Sequence, residues 1–331
     1  MNDQEYTPDF VEVLNAWEQH PPLQVEFVFD LPPDAPRKAD KVGVLMYQAV
    51  LLRQDHPGLD FGRIKAVTFT MDVHRTGDEL ENAVGHDLPH YRNAAARLDI
   101  FHVNLGPGQV LIITDELANA SLSPQLPTRL AAWEMLRTEL ARSVAVARLA
   151  DAALASAKAA PAAQWQGLAR NVWTEYFCGR HAAVEGLSTD MARQRLREAL
   201  EQDPAALAQA LLQYGRDHDL TELATRAEGC ARGLGEAMAE VIGQLATQQD
   251  SLAGVDPQLD TLIRAQGLSW LWDALASRLA ALGVDPRIWP TGKAWDGLID
   301  IFRQWLGRQG LRYDPDGEAV PPEPHSEGKT L

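Results

Sequence analysis

Cysteine is scarce in this chain, and so is positive charge. Cys178 and Cys230 are the only thiols in 331 residues. Two cannot form a disulfide framework in a chain this long, and both fall in apolar helical patterns where buried free thiols are common. A reducing cytoplasm is the expected setting. Lys and Arg total 30 against 46 Asp and Glu, for a net charge of −16. With no basic face to displace counterions from phosphates, the sequence argues against nucleic-acid binding and against attraction to an anionic membrane. No apolar run approaches the roughly 18 residues that suggest a membrane span, and Met1–Tyr6 lacks the basic-then-apolar pattern of a secretory signal.

Familiar catalytic signatures are missing too. There is no G-x-S-x-G elbow, no P-loop and no G-x-G-x-x-G following a strand; Gly106-Pro107-Gly108 reads as hairpin chemistry. Cys178 and His181 lie three apart on one helix, an arrangement in which nucleophile and base rarely meet. His74, His86, His90 and His102 share one region, and His86 and His90 have a ligand-like spacing. Pro89 between them disfavours the helix that would align them, so a polar loop is expected there.

What the chain does have is a globular composition, 46% hydrophobic and 23% charged, and two halves of different periodicity. After an amphipathic segment near Phe10–Trp17, Leu23–Phe29 alternates as a strand with Val25, Phe27 and Phe29 on one face. Lys38–Gln54 reads as a helix, Ile64–Thr70 as a strand and Thr76–Val84 as a short helix. Ala96–Val103 and Gln109–Thr114 bracket a hairpin turn. From Pro124 onward the pattern is helical: helices are expected at Trp165–Glu185, Thr189–Glu201, Pro204–His218, Leu220–Thr247, Pro257–Leu282 and Lys293–Arg308. Asp203-Pro204, Asp256-Pro257 and Asp285-Pro286 look like helix entries. No fixed-period repeat is visible.

The expected fold is therefore α+β, a small N-terminal sheet with helices followed by a mostly helical C-terminal half. Its parts are residues 1–123, 124–190, 191–313 and a disordered tail at 314–331. The aromatic stripe from Leu268, Trp270 and Trp272 to Trp295, Phe302 and Trp305 reads as core between helices.

Thr138-Glu139-Leu140-Ala141-Arg142, on the helical stretch Pro127–Ser143, stands where an H-E-x-x-H motif would. Some thirty residues on, Trp173-Thr174-Glu175-Tyr176-Phe177-Cys178-Gly179-Arg180 resembles the W-x-E-Y-F-A-x-R segment of many bacterial zincin-like proteins. The resemblance covers about residues 25–185. It implies a metallopeptidase-like cleft with Glu139 at the general-base position, Glu175 at the third-ligand position, and Thr138, Arg142 and His181 facing it. In such a site two His at i and i+4 hold Zn²⁺ at about 2.0–2.1 Å and the Glu activates the bound water. Here Thr138 is a poor ligand, and Arg142 is a permanent cation without a lone pair to give.

The expectation is thus a pseudoenzyme without a catalytic metal. Arg142 would replace the metal tie by pairing with Glu175 or Glu139, while Arg137 faces another direction and matters less. Its old cleft would bind an unidentified peptide, small ligand or protein. The alternative is a zinc-dependent peptidase or hydrolase using Glu139, Glu175 and a histidine from His181 or the His86/His90 loop. A third reading makes the helical half an interaction scaffold. The plainest reading treats Glu139 and Arg142 as a solvated i, i+3 pair contributing about 0.2–0.5 kcal/mol.

Overall fold

The computed structural model describes residues 23–33, 35–84, 100–105, 108–155, 163–183, 190–285, 288–314 and 318–320. The Phe10–Trp17 segment, the His86/His90 loop and the tail beyond 320 lie outside the described residues, as does Pro286. The architecture is α+β, as expected: a four-stranded mixed sheet near the N-terminus, then a mostly helical half. The chain divides into two compact units, Met1–Arg148 with His181–Thr189, and Leu149–Arg180 with Asp190–Leu331.

In the first unit the order is β1 (Glu26–Asp30), α1 (Lys38–Asp55), β2 (Ile64–Thr70), α2 (Val73–Val84), β3 (Ile100–Leu105), β4 (Gly108–Thr114), α3 (Asp115–Ala120) and α4 (Leu126–Ala155), whose residues from Leu149 on belong to the second unit. The sheet runs β1-β2-β4-β3. β1 and β4 flank β2 in parallel, and β3 returns antiparallel beside β4. The expected antiparallel pairing of these two strands is thus present, while Gly106 and Pro107 lie outside the described residues. A parallel strand covered on both faces loses its polar alternation, which is why β4 reads Val-Leu-Ile-Ile with every one of these residues buried. One face, Ala66, Val103, Val110 and Ile112, packs against Val73 and Leu80 of α2. On the other face, Phe69 stacks on Phe29 with centroids 5.3 Å apart. His102 pairs in register with Leu111 and shares that second face. Buried Lys41 of α1 bonds Asp115 of α3 at 2.5 Å.

The second unit continues with α5 (Ala163–Ala182), whose last two residues belong to the first unit. It then runs through α6 (Met191–Asp217), α7 (Leu220–Gln248), α8 (Leu252–Val255), α9 (Pro257–Ala265), α10 (Ser269–Leu282), a 3₁₀ turn at Gly292–Trp295, α11 (Asp296–Arg308), β5 (Arg312–Tyr313) and β6 (Ala319–Val320). Three expectations need correction. The two helices expected either side of Pro204 are one, because the acceptor that Pro204 leaves idle four residues back, Leu200 O, receives the side-chain amide of Gln266 at 2.9 Å. This replaces the hydrogen bond whose loss would otherwise break the helix. The single helix expected over Pro257–Leu282 is two, interrupted at Gly267, whose φ of +68° is open to glycine. The short pair β5–β6 was not anticipated, and β6 lies inside the tail expected to be disordered. Asp256, by contrast, caps α9 through Leu259 N with Pro257 at the first turn, as its sequence suggests. The aromatic stripe is core at Trp295, Phe302 and Trp305.

Candidate functional site

Helix α4 is built from strong helix formers, and its buried positions Ala132, Leu136, Leu140 and Val144 recur every four residues. Glu139 lies beside that stripe and is 4% exposed. A buried carboxylate needs partners, and it has two. The Arg142 guanidinium, one turn on, bonds Glu139 Oε2. From the edge strand β3, His102 Nδ1 lies 2.5 Å from Oε1. An ionised carboxylate only accepts, so Nδ1 carries the proton. Burial pushes the Glu139 carboxyl upward, but the charge of Arg142 and the hydrogen bond from His102 outweigh it and hold the pKa at about 2. The carboxylate of the pair is therefore buried, though the Arg142 side chain is 25% exposed, and the i, i+3 spacing understates the contact.

Thr138 is buried on the same turn. Arg137, two residues before Glu139 and so roughly 200° around the helix, is 2% exposed. Its Nη2 reaches Asp55 Oδ2 at 2.9 Å and its Nε donates to Ala182 O at 3.2 Å. Arg137 thus faces another direction from Glu139, as expected, and is buried and bonded there. His181 adjoins Ala182 and meets His56 edge-on, with ring centroids 4.0 Å apart. His181 is thus placed with the Arg137 side of α4, and His102 with the Glu139 side.

Glu175 belongs to the second unit, where it is half-buried on α5. Its neighbours in sequence have packing roles. Trp173 Nε1 donates to Gly283 O at 3.1 Å, and its ring lies 5.2 Å from Phe177 and 5.5 Å from Trp289. Gly179 lets α5 cross α7 so closely that a Cβ there would strike Glu240 O, and a Cβ on Gly243 would come within 2.5 Å of Tyr176 O. The aromatic and small residues of this segment make a helix-crossing seam. Cys178 and Cys230 are both buried free thiols.

His102 was the residue sequence reasoning left without a role. A histidine in an otherwise apolar strand that pairs with a buried run was the available signal. Among the described residues no group of three or more His, Cys, Asp or Glu side chains is arranged to hold a metal ion, and no helix is long and apolar enough to cross a membrane. Comparison with family models, curated proteins and solved structures finds no match to this chain.

Proposed function

We propose that this chain is a zincin-like pseudoenzyme, a non-catalytic binding protein whose former cleft lies along α4 and β3. The observation that carries the reading is the state of Glu139. A general base works best with a pKa near the operating pH, whereas this carboxylate, at about 2, has little affinity for a proton. Both its oxygens are engaged, one by a cation and one by an imidazole N–H. The His102–Glu139 bond ties the helix to the sheet edge, and Arg142 balances the buried carboxylate from the same helix. The occupant that fits best is an extended peptide. β3 is an edge strand with no partner on its outer side among the described residues, and such an edge can add a strand through backbone hydrogen bonds. A reducing, cytoplasmic setting agrees with the two buried thiols.

Purified protein should contain no stoichiometric zinc and show no peptidase activity. About one equivalent of Zn²⁺ by elemental analysis would overturn the proposal. It would favour the second reading, a zinc-dependent hydrolase with atypical ligands. One contact speaks for that alternative: His102 beside Glu139 supplies the kind of imidazole–carboxylate pair that metals recruit. In that case His102→Ala should lose the metal.

A further inference from the structure

The second unit carries a cleft of about 270 Å³ between α8, α9 and α10. Its apolar lining is Leu252 and Ile263, both buried, together with half-buried Trp272. Its polar lining is Asp260, Arg264, Ser269 and Asp273. Arg264 Nε is tied to Asp260 Oδ2 at 2.9 Å, so the one cation of the cleft is already neutralised. Asp273, exposed on the first turns of α10, has no ion-pair partner among the described residues. The lining therefore carries one negative charge in excess.

We infer that this cleft binds a small organic cation on an apolar stem, an alkylguanidinium or alkylammonium metabolite. Three features divide the recognition. Half-buried Trp272, beside the lining residues Leu252 and Ile263, offers apolar surface to the stem, and small-ligand sites combine such surface with a few convergent polar groups. The indole of Trp272 offers an electron-rich face, the best aromatic surface for a cation. Asp273 supplies the counter-charge. An anion of the same size would meet the unpaired carboxylate and only a guanidinium already engaged. The volume lies just below the roughly 300 Å³ at which drug-sized pockets begin, which favours small amines and guanidines. Nothing in this inference depends on the proposed cleft of the first unit.

The test uses the full chain labelled with ¹⁵N, the Trp272 indole signal assigned by its loss in Trp272→Phe, and agmatine as the probe. Agmatine should shift the Trp272 indole resonance saturably. Glutarate at equal concentration and ionic strength should leave it in place. Asp273→Asn, an exposed substitution that leaves the fold intact by its unchanged melting temperature, should weaken agmatine at least fivefold. A linear, non-saturating response, an equal response to glutarate, or full retention of affinity in Asp273→Asn would each overturn the assignment.

Discussion

His102 Nδ1 on the edge strand lies 2.5 Å from Glu139 Oε1 on α4, and this bond fastens the rim of the sheet to the helix lying over it. Because Arg142 holds the other carboxylate oxygen, the helix, the strand and one buried charge form a single unit. Removing any member leaves the others underpaired in a dry setting, where an unpaired charge is costly.

Glu139→Gln should lower the melting temperature at neutral pH by an amount equivalent to about 3–5 kcal/mol, the usual cost of breaking a buried pair from one side. The folded carboxyl titrates near 2 instead of 4.5, so its contribution is complete above about pH 4.5 and is lost as pH falls through 2. Melting curves of parent and variant should therefore converge on acidification. A gap that stays constant down to pH 2 would contradict the pairing.

Arg137→Ala should destabilise measurably, though less than Arg142→Ala, which leaves the buried Glu139 carboxylate without its cation. Arg137 is 2% exposed while the Arg142 side chain is 25% exposed. The loss of Arg137 strands Ala182 O and opens space in the core. About 1–3 kcal/mol is expected, the cost of leaving a buried acceptor unpaired, since Asp55 is 53% exposed and stays solvated. Denaturant midpoints of the two variants decide the order.

Gln266→Ala should cost about 1 kcal/mol, the typical net worth of one hydrogen bond. In a Pro204→Ala background the same change should be nearly silent, since the restored backbone N–H at 204 reclaims Leu200 O from within the helix. A double-mutant cycle by chemical denaturation measures this coupling; strict additivity would show that Gln266 does not stand in for the missing donor.

Gly179→Ala should be among the most damaging single-atom additions in the second unit. The new Cβ points at the backbone carbonyl of Glu240, and backbone cannot swing aside as a long side chain can. Overpacking of this kind typically costs about 1–3 kcal/mol. Gly167→Ala, where a Cβ meets open space on the same helix, should be neutral or slightly stabilising, and the contrast between their thermal midpoints is the measurement.

Asp203 is half-buried against Gly233, and burial raises its carboxyl to about 6. Its neutral form is the one the fold favours, so the Asp203 contribution to stability is greatest below about pH 4 and declines as pH rises through 6. Asp203→Asn should match the parent near pH 4 and melt higher than it above pH 6. Equal melting temperatures across that range would show the carboxylate to be well solvated.

Much of the architecture is a property of short windows and was legible without coordinates. Two-residue alternation in Leu23–Phe29, the apolar run of β2, the Gly-Pro-Gly turn and the four-residue spacing along Lys38–Gln54 each identify an element, since a strand or an amphipathic helix repeats its buried face at its own period. The Asp-Pro entry at Asp256 is local for the same reason. The continuity of α6 through Pro204 was not, because it depends on Gln266, brought back from 62 residues further along the chain. The roles of His102 and Arg137 were likewise decided by the tertiary structure. Glu139 and Arg142 are one turn apart and announce a pair, but whether that pair is bathed in water or buried under a strand depends on how the sheet edge meets the helix. Burial is a relation between distant segments, and it is burial that turns a weak surface pair into a fixed carboxylate with a pKa near 2.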